Sequence, residues 1–250
     1  MKKTLLELVQ DILSAIDADE VNSIDDTVEA MQVATVVKNV YLSMASNRNW
    51  SGQKKLISFN HSGTPDKPTH IKSPDNLKEL HLFNYNATKD NLTIDMQEVR
   101  YQYPDEFLRL CSHRGLNTPN TKVVTEFGGT PLVIVTNKSP TYWTTFDDTY
   151  IVCDSYNSVV DDALKASKTQ LHATLFPEFE LVDSFVPDMP VEAFAGLLAE
   201  AKSVAFVEIK QVANQKAEQE AVRQRTWMAR KNWQLKGGVR TPNYGRRSVK

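Results

Sequence analysis

Apolar residues recur at helical spacing near both ends of this 250-residue chain and at strand spacing between those ends. In the first segment they are separated by three and four positions, which places them on one face of a helix. Thr4 and Glu7 occupy the two positions of a capping box, so we expect the helix to begin after Thr4. The apolar face of this helix consists of Leu5, Leu8, Val9, Ile12, Leu13 and Ile16.

A second helix is predicted to start at Ser23-Ile-Asp-Asp and to end near Asn47, before Trp50-Ser-Gly. Because the two helices can share one apolar seam, residues 1–53 are predicted to form an N-terminal helical hairpin. Such a seam is typical of packing rather than of a cofactor site. The apolar face of the second helix would include Val28, Met31, Ala34 or Thr35, Val37 or Lys38, Tyr41 and Met44.

Residues 54–186 change to a period of two and are predicted to form an inserted β-rich domain. Asp147-Asp148 is typical of a turn within a β-hairpin. Between Pro104 and Gly115 the pattern instead predicts a short helix, with Pro at its start and Gly at its end. The predicted strands are 56–59, a stretch from 70, 77–85, 122–127, 132–136, 142–146, 150–153, 171–175 and 180–182.

Residues 187–233 are predicted to form one long helix that packs on the N-terminal hairpin. From Val191 to Trp233 there is no Pro and a single Gly, Gly196, and good helix formers dominate. At a rise of 1.5 Å per residue, such a helix would span about 60 Å. Its strong apolar face ends near Gln211, so we expect the second half to project or to contact a neighbouring subunit.

Together these segments predict an α+β fold. It would combine a helical bundle, built from the N- and C-terminal helices, with an inserted mainly antiparallel β domain and an extended basic arm over residues 234–250. Neither helical end can bury its apolar stripe alone, which is why we expect one bundle. No apolar stretch is long enough to span a membrane, and Glu7 and Asp11 interrupt any signal-peptide core, so an intracellular protein is expected.

The charge of the chain is distributed unevenly. Residues 222–250 hold nine of the 29 Lys and Arg residues and none of the 31 Asp and Glu residues. Residues 1–221 therefore carry 20 basic against 31 acidic residues, a net charge of −11. An acidic body with a basic C-terminal segment predicts that this segment binds an acidic partner, either protein or nucleic acid.

The sequence contains no phosphate loop, dinucleotide fingerprint, serine-nucleophile elbow or His-Glu-x-x-His motif. Cys111 and His113 are two positions apart, so on a helix they would not face each other as nucleophile and base. We therefore predict no catalytic residue, no cofactor and no metal site, and we do not expect an enzyme. A hydrolase in the β region that uses His172, Asp154 and Asp148 is kept as an alternative.

Basic and aromatic residues interleave near the C-terminus. Cationic side chains neutralise phosphates and aromatic rings can stack on bases, which suits nucleic acid. Trp, Tyr and Arg are also the usual anchors of protein interfaces, since they combine large rigid area with planar hydrogen-bond donors. Docking is therefore predicted over a purely solvating role, and DNA binding by this tail is the main alternative function. The residues concerned are Arg223, Arg225, Trp227, Arg230, Lys231, Trp233, Arg240, Tyr244, Arg246 and Arg247.

The two ends of the chain resemble a known family. The opening LLELVQDILSAIDADEVNSIDDTVEAMQVA, with Arg48-Asn-Trp50 after it, is similar to the head-to-tail adaptor proteins of short-tailed bacteriophages, of the tail tubular protein A type. The closing QRTWMARKNWQLKGGVRTPNYGRR resembles a C-terminal extension of such adaptors. The resemblance covers residues 1–50 and 219–247, about a third of the chain.

This resemblance implies a structural virion protein rather than an enzyme. Adaptors of this family form a twelve-subunit ring that joins the portal to the tail nozzle in the neck of the virion, after assembly in the host cytoplasm. DNA would pass through the ring during ejection without sequence-specific binding, and tail fibres can attach nearby. The β domain would face the nozzle, and the C-terminal arm would grip the portal.

The resemblance also implies roles for individual residues. Trp227, Trp233 and Tyr244 would be buried anchors on the portal, while Gly237 and Gly238 would redirect the chain after the long helix. The basic residues would pair with acidic portal groups or line the channel near DNA. Portal contacts are thus expected at Arg223, Trp227, Arg230, Trp233, Gly237, Gly238, Arg240, Tyr244, Arg246 and Arg247.

Overall fold

A computed structural model describes residues 2–47, 49–88, 94–115, 119–126 and 128–232 of the protein. Within these ranges the fold combines five α-helices with sheets that are mostly antiparallel, so the predicted α+β class is confirmed. The chain divides into two compact units, each with its own hydrophobic core. The helical unit takes the described residues of 1–53 and 176–250, and the β-rich unit takes those of 54–175.

The first helix, α1 (Leu5–Ala15), begins at the predicted capping box. The Glu7 N–H donates to Thr4 Oγ1 at 3.2 Å, and the Thr4 N–H donates to Glu7 Oε2 at 2.8 Å. These bonds satisfy amide groups that the start of a helix would otherwise leave unpaired. All six residues of the predicted apolar face are buried.

The second helix, α2 (Val28–Asn47), begins later than the predicted start at Ser23. The Asp26 carboxylate accepts the N–H of Ser23 at 2.8 Å, which closes a turn in place of a helical hydrogen bond. Thr27 then caps the helix, because its Oγ1 accepts the N–H of Ala30 at 3.1 Å. The buried residues of α2 are Ala30, Val33, Ala34, Val36, Val37, Val40, Tyr41 and Ala45, whereas Val28 is exposed.

The prediction of one long helix over residues 187–233 is wrong. Two helices, α4 (Phe194–Glu208) and α5 (Gln215–Asn232), are separated by a connection in which Gln211 has a left-handed φ of 54°. The Asn214 side chain restarts the helix, since its Oδ1 accepts the N–H of Lys216 at 3.1 Å and that of Ala217 at 3.2 Å. Because α5 packs on α4 within one chain, the described part of this segment does not extend α4.

The chain between the last strand and α4 belongs to the helical unit, although residues 180–182 were predicted as a strand and the β domain was predicted to reach residue 186. The Leu5 N–H donates to the Phe185 carbonyl at 2.7 Å, and the Leu6 N–H donates to the Asp183 carbonyl at 3.2 Å. Backbone groups of this segment therefore satisfy the first turn of α1 instead of pairing in a sheet.

Residues of α1, α2 and α4 build the core of the helical unit, with Met228 of α5 at its margin. Tyr41, Leu5, Leu8, Ile12, Leu13 and Ile24 are among its fully buried large side chains. Within the described residues, no helix has both the length and the apolar character that crossing a membrane requires.

Within its described residues, the β-rich unit contains ten strands and one α-helix. The helix is α3 (Pro104–Ser112), which has Pro at its first position as predicted. The strands are β1 (Lys54–Ile57), β2 (His70–Lys72), β3 (Leu77–Asn86), β4 (Met96–Glu98), β5 (Arg100–Tyr101), β6 (Thr121–Thr125), β7 (Pro131–Val135), β8 (Tyr142–Thr145), β9 (Tyr150–Cys153) and β10 (Thr169–Leu175).

These strands make two four-stranded sheets and a hairpin. One sheet has the order β1-β10-β3-β4 and is antiparallel throughout. The other has the order β2-β9-β8-β5, with a parallel β5–β8 pair, and β6–β7 form a separate antiparallel hairpin. Only Val99 separates β4 from β5, so the chain passes directly from one sheet to the other. Residues of both sheets, including Phe83, Ile71 and Leu171, meet in one core.

Candidate docking surface on the C-terminal helix

The described part of the predicted docking segment lies on α5, which has a buried and an exposed face. Ala221 and Met228 are buried, and their spacing of seven residues places them on one side of the helix. Val222, Arg223 and Trp227 lie on the other side, where 45% of Trp227 is exposed. A tryptophan half in solvent is the kind of anchor that protein interfaces use.

Gly196 of α4 allows Met228 to approach closely. A Cβ atom built on Gly196 would lie 2.3 Å from Met228 Cε and 2.8 Å from its Sδ, so the methionine occupies the space that any larger residue would need. The absence of a side chain at Gly196 therefore lets α5 pack closely on α4 at this point.

A groove of about 680 Å³ lies beside Trp227, and we call it the Trp227 groove. Glu192 and Ala195 form its wall at the start of α4, while Arg223 and Trp227 form the wall on α5. Aromatic area, one cation and the carboxylates of Glu192 and Glu220 thus border the same concave surface. Such a surface can take up an apolar side chain of a partner and pair with charges at its edge.

Arg223 is placed to bind an acidic group. Its side chain is 82% exposed, and its Nη1 lies 3.8 Å from Glu220 Oε2. An exposed pair at this distance contributes little stability, so Glu220 does not hold the guanidinium away from a carboxylate of a partner. Arg225 differs, because it forms an ion pair with Glu200 of α4.

A second groove, of about 490 Å³, lies between α2, α4 and α5. Met44, Val204 and Met228 give it an apolar floor, and Glu200 and Arg225 stand at its edge. The Arg225–Glu200 pair therefore joins α5 to α4 at this groove instead of facing an external partner.

The structure places two of the predicted portal-binding residues, Arg223 and Trp227, together on one groove. The other eight predicted residues lie outside the part of the chain that the structure describes. The side chain of Arg230 lies outside the described residues, as do Trp233, Gly237, Gly238, Arg240, Tyr244, Arg246 and Arg247.

Sequence reasoning missed Glu192, Ala195 and Met228 as neighbours of this surface. Gly196 was the available signal, since an isolated glycine in a helical pattern commonly marks a close contact. The sequence does not indicate which residue makes that contact, because the partner lies 32 positions away, beyond the break in the helix.

In the β-rich unit, the residues of the hydrolase alternative occupy separate environments. Asp154 is buried: its Oδ1 accepts the N–H groups of Thr141 and Tyr142, both at 2.9 Å, and its Oδ2 accepts Arg114 Nη2 at 2.7 Å. This carboxylate is saturated by structural partners. His172 instead lies against His81, with ring centroids 5.3 Å apart.

Asp148, the third of these residues, lies in the turn between β8 and β9. Within the described residues, no hydrogen bond joins the side chains of Asp148, Asp154 and His172. The geometry therefore offers no link through which these groups could act as one catalytic set.

The thiol of Cys111 is not an activated nucleophile. Burial raises its pKa to about 11, an effect that the nearby Arg114 guanidinium only partly offsets. At neutral pH the group is a protonated thiol, which is a weak nucleophile. Over the described part of the chain, no cluster of three or more His, Cys, Asp and Glu side chains is arranged to hold a metal ion.

No protein-family model matches the chain, and no curated protein matches it either.

Proposed function

We propose that the protein is a structural component of a short-tailed bacteriophage, a head-to-tail adaptor that joins the portal to the tail nozzle. In this proposal the terminal helices form a bundle, the β domain is inserted into it, and the segment after α5 is an arm that docks on the portal. The observation that carries the proposal is that two exposed residues of α5, Arg223 and Trp227, both line the Trp227 groove. That helix leads directly into the basic, aromatic segment 233–250.

Charge and shape support an acidic protein as the partner. The segment after Asn232 adds five basic residues and no acidic one, together with Trp233 and Tyr244. A partner that accepts the Trp227 side chain would bury aromatic area at the centre of the interface, and Arg223 would pair with a carboxylate at its edge. Both contributions increase when surrounding residues exclude water from the contact.

The rest of the proposed assembly follows the family resemblance. Copies of the chain would associate into a ring of about twelve, with the nozzle, and possible tail fibres, bound at the end opposite the portal. DNA would pass through the ring without sequence-specific contacts. The protein would act in the neck of the virion after assembly in the host cytoplasm, with no cofactor and no catalytic step.

Electron microscopy of the protein mixed with portal rings of the same virus tests the proposal. We expect added density at the outer end of the portal with the full chain and bare portals with a chain truncated after residue 233. Trp227→Ala combined with Arg223→Glu should weaken docking of the full chain by at least about tenfold, since each removes an anchor of the type that dominates interfaces.

A matched control is Tyr103→Ala combined with Arg109→Glu, which changes one exposed aromatic and one exposed arginine in the β-rich unit. This control should dock like the unchanged protein. Equal docking by the truncated chain and the full chain would contradict the proposed arm, and absence of any docking by a folded full-length protein would contradict the adaptor proposal.

DNA binding is the second candidate, because nine basic residues and three aromatic residues lie between 222 and 250. It predicts tight binding to free duplex DNA, with log K falling by about 0.9 per log unit of salt for each phosphate contacted. An adaptor would instead bind free DNA weakly and portal rings strongly. Titration of both partners over a range of salt concentrations therefore separates the two functions.

A further inference from the structure

The β-rich unit contains a cavity that the proposed function does not use. It has a volume of about 500 Å³ and lies between the start of β3 and the β8–β9 hairpin. Small-molecule sites typically measure about 300–1,000 Å³. We call this cavity the Trp143 pocket. Leu77, Leu80 and Ile151 contribute its apolar lining, and Trp143 of β8 contributes its aromatic side.

Neighbouring groups hold Trp143 in place. Its carbonyl accepts the Gln102 N–H at 2.9 Å, and its ring meets the Tyr101 ring edge to face, with centroids 4.8 Å apart. Tyr101 in turn contacts Tyr103, with centroids 5.5 Å apart. A continuous row of three aromatic rings thus runs from the pocket to the exposed surface, where Tyr101 and Tyr103 are accessible.

Polar side chains stand around this aromatic and apolar lining. Asp148 lies in a turn with a left-handed φ of 57°, and its N–H donates to Thr145 Oγ1 at 2.9 Å. The Asp147 carboxylate fixes the same turn by accepting the N–H groups of Thr149 and Tyr150, both at 3.0 Å. The turn is therefore ordered without using the Asp148 carboxylate as an acceptor of these bonds.

The other polar groups of the pocket come from the chain before and within β3. Asp75 precedes the strand and pairs with Lys72 at 3.1 Å, with most of its side chain exposed. Lys78 lies within the strand, and partial burial lowers the pKa of its ammonium group. Two carboxylates and one ammonium group thus line the same cavity, and the ammonium group of Lys72 pairs with Asp75 at its edge, so the charges around the pocket roughly balance.

We propose that the Trp143 pocket binds a neutral saccharide, with the face of one pyranose ring stacked on Trp143. A pyranose ring has an apolar face of C–H groups and an edge of hydroxyl groups. An indole ring matches the first, because stacking removes apolar surface from water on both partners. Carboxylates and an ammonium group match the second, because hydroxyl groups can donate to Asp75 and Asp148 and accept from Lys78.

The balance of charge around the pocket favours a neutral ligand. A nucleobase could also stack on Trp143, but its phosphates would lie close to the Asp75 and Asp148 carboxylates, and like charges at close range are unfavourable. A cationic ligand would make the same kind of unfavourable contact with the Lys78 ammonium group. A neutral, hydroxyl-rich ring avoids both contacts, and the exposed Tyr101 and Tyr103 offer further rings for a longer saccharide.

Saturation-transfer NMR on the full-length protein tests this inference with maltose, cellobiose, lactose and N,N′-diacetylchitobiose. We expect at least one disaccharide to bind saturably below roughly 10 mM and to shift the indole N–H signal of Trp143. The indole signal of Trp227, in the helical unit, should not move. If none of these disaccharides binds saturably, the inference is wrong.

Variants locate the site. Trp143→Leu keeps apolar volume but removes the ring, and should weaken binding by about tenfold or more. Asp148→Asn tolerates the left-handed backbone and should weaken binding by a smaller factor. Trp227→Leu is the matched control and should bind normally. Unchanged binding by a folded Trp143→Leu variant would overturn the assignment.

Two further measurements keep the result interpretable. Thermal unfolding establishes that each variant is folded. If Trp143→Leu unfolds, Trp143→Phe replaces it, and we expect this smaller ring to give an intermediate loss of affinity.

Parallel titrations with argininamide and with oligothymidylate test the cationic and nucleic-acid alternatives. Binding of either to this pocket, without saccharide binding, would overturn the inference.

Discussion

The two buried thiols of the β-rich unit make the free energy of unfolding depend on pH. Burial raises the pKa of Cys111 to about 11 and that of Cys153 well above its ordinary value of 9.0. An unfolded chain loses these protons near pH 9, whereas the folded chain retains them. At these two thiols the folded state therefore retains protons that the unfolded state loses between pH 9 and 11, so their contribution to the free energy of unfolding falls as the pH rises through this window.

We predict that Cys111→Ala makes this decline between pH 9 and 11 shallower, because the variant lacks one of the groups that titrates differently in the two states. Urea unfolding at several pH values from 7 to 11 measures the effect. The comparison uses the slope with pH, since the loss of a buried side chain also lowers stability at pH 7. An unchanged slope would mean that the Cys111 thiol is accessible to solvent in the folded protein.

The buried ion pair of Asp154 and Arg114 should contribute strongly to the stability of the β-rich unit. Its carboxylate is fully buried and pairs with Arg114, whose own side chain is only 14% exposed. Removing one partner of such a pair leaves a buried charge uncompensated, so Asp154→Ala should lower the free energy of unfolding by about 3–5 kcal/mol. Asp75→Ala, which breaks the exposed pair with Lys72, should cost less than about 1 kcal/mol. Urea unfolding of both variants checks the contrast, and equal effects would contradict it.

The sequence predicted those helices and strands that depend on residues close together along the chain. The capping box of α1 involves residues three positions apart, and the alternation of apolar residues in β7 reflects the alternating burial of that strand. The break between α4 and α5 contains neither Pro nor Gly in residues 209–214, and its one local signal is Asn214, a residue type that favours the N-cap of a helix. A single Asn among good helix formers is too weak a signal to predict a break.

The same limit applies to the candidate sites. Arg223 and Trp227 were predicted as docking residues from composition alone, because basic and aromatic residues cluster in that segment. The Trp227 groove was not predictable, since its other wall comes from the start of α4. The Trp143 pocket joins residues from β3, β8 and the turn before β9, which become neighbours only when the sheets form.

Met228 should stabilise the packing of α5 on α4. Met228→Ala removes the side chain that fills the space over Gly196, and should lower the stability of the α4–α5 contact by about 2–5 kcal/mol. Hydrogen exchange measured by mass spectrometry should then be faster over residues 215–228. Val222→Ala is the control, since Val222 is exposed on the same helix and its replacement should change stability by at most about 0.5 kcal/mol. Equal exchange in both variants would show that Met228 does not hold α5.

For the whole molecule, the two separate cores imply that the β-rich unit can fold without the helices. Its buried residues, from Phe59 to Leu171, form a cluster of their own. Lys54 at its start pairs with Thr174 near its end, so the chain enters and leaves at the same end of the β1–β10 ladder. A unit with its own core and adjacent ends has the properties of an independent domain.

We therefore predict that residues 54–175 alone unfold cooperatively on heating and give a dispersed NMR spectrum. A fragment ending at residue 168 is the control: it lacks β10, which pairs with both β1 and β3, and should not fold. The matching helical protein, with a short Gly-Ser linker between Gln53 and Phe176, should also fold, because α1, α2 and α4 share the other core. If 54–175 stays unfolded while the full chain folds, the core of the β-rich unit is insufficient by itself. The insertion would then depend on the helices for stability, and a saccharide or nozzle partner could be studied only with the complete protein.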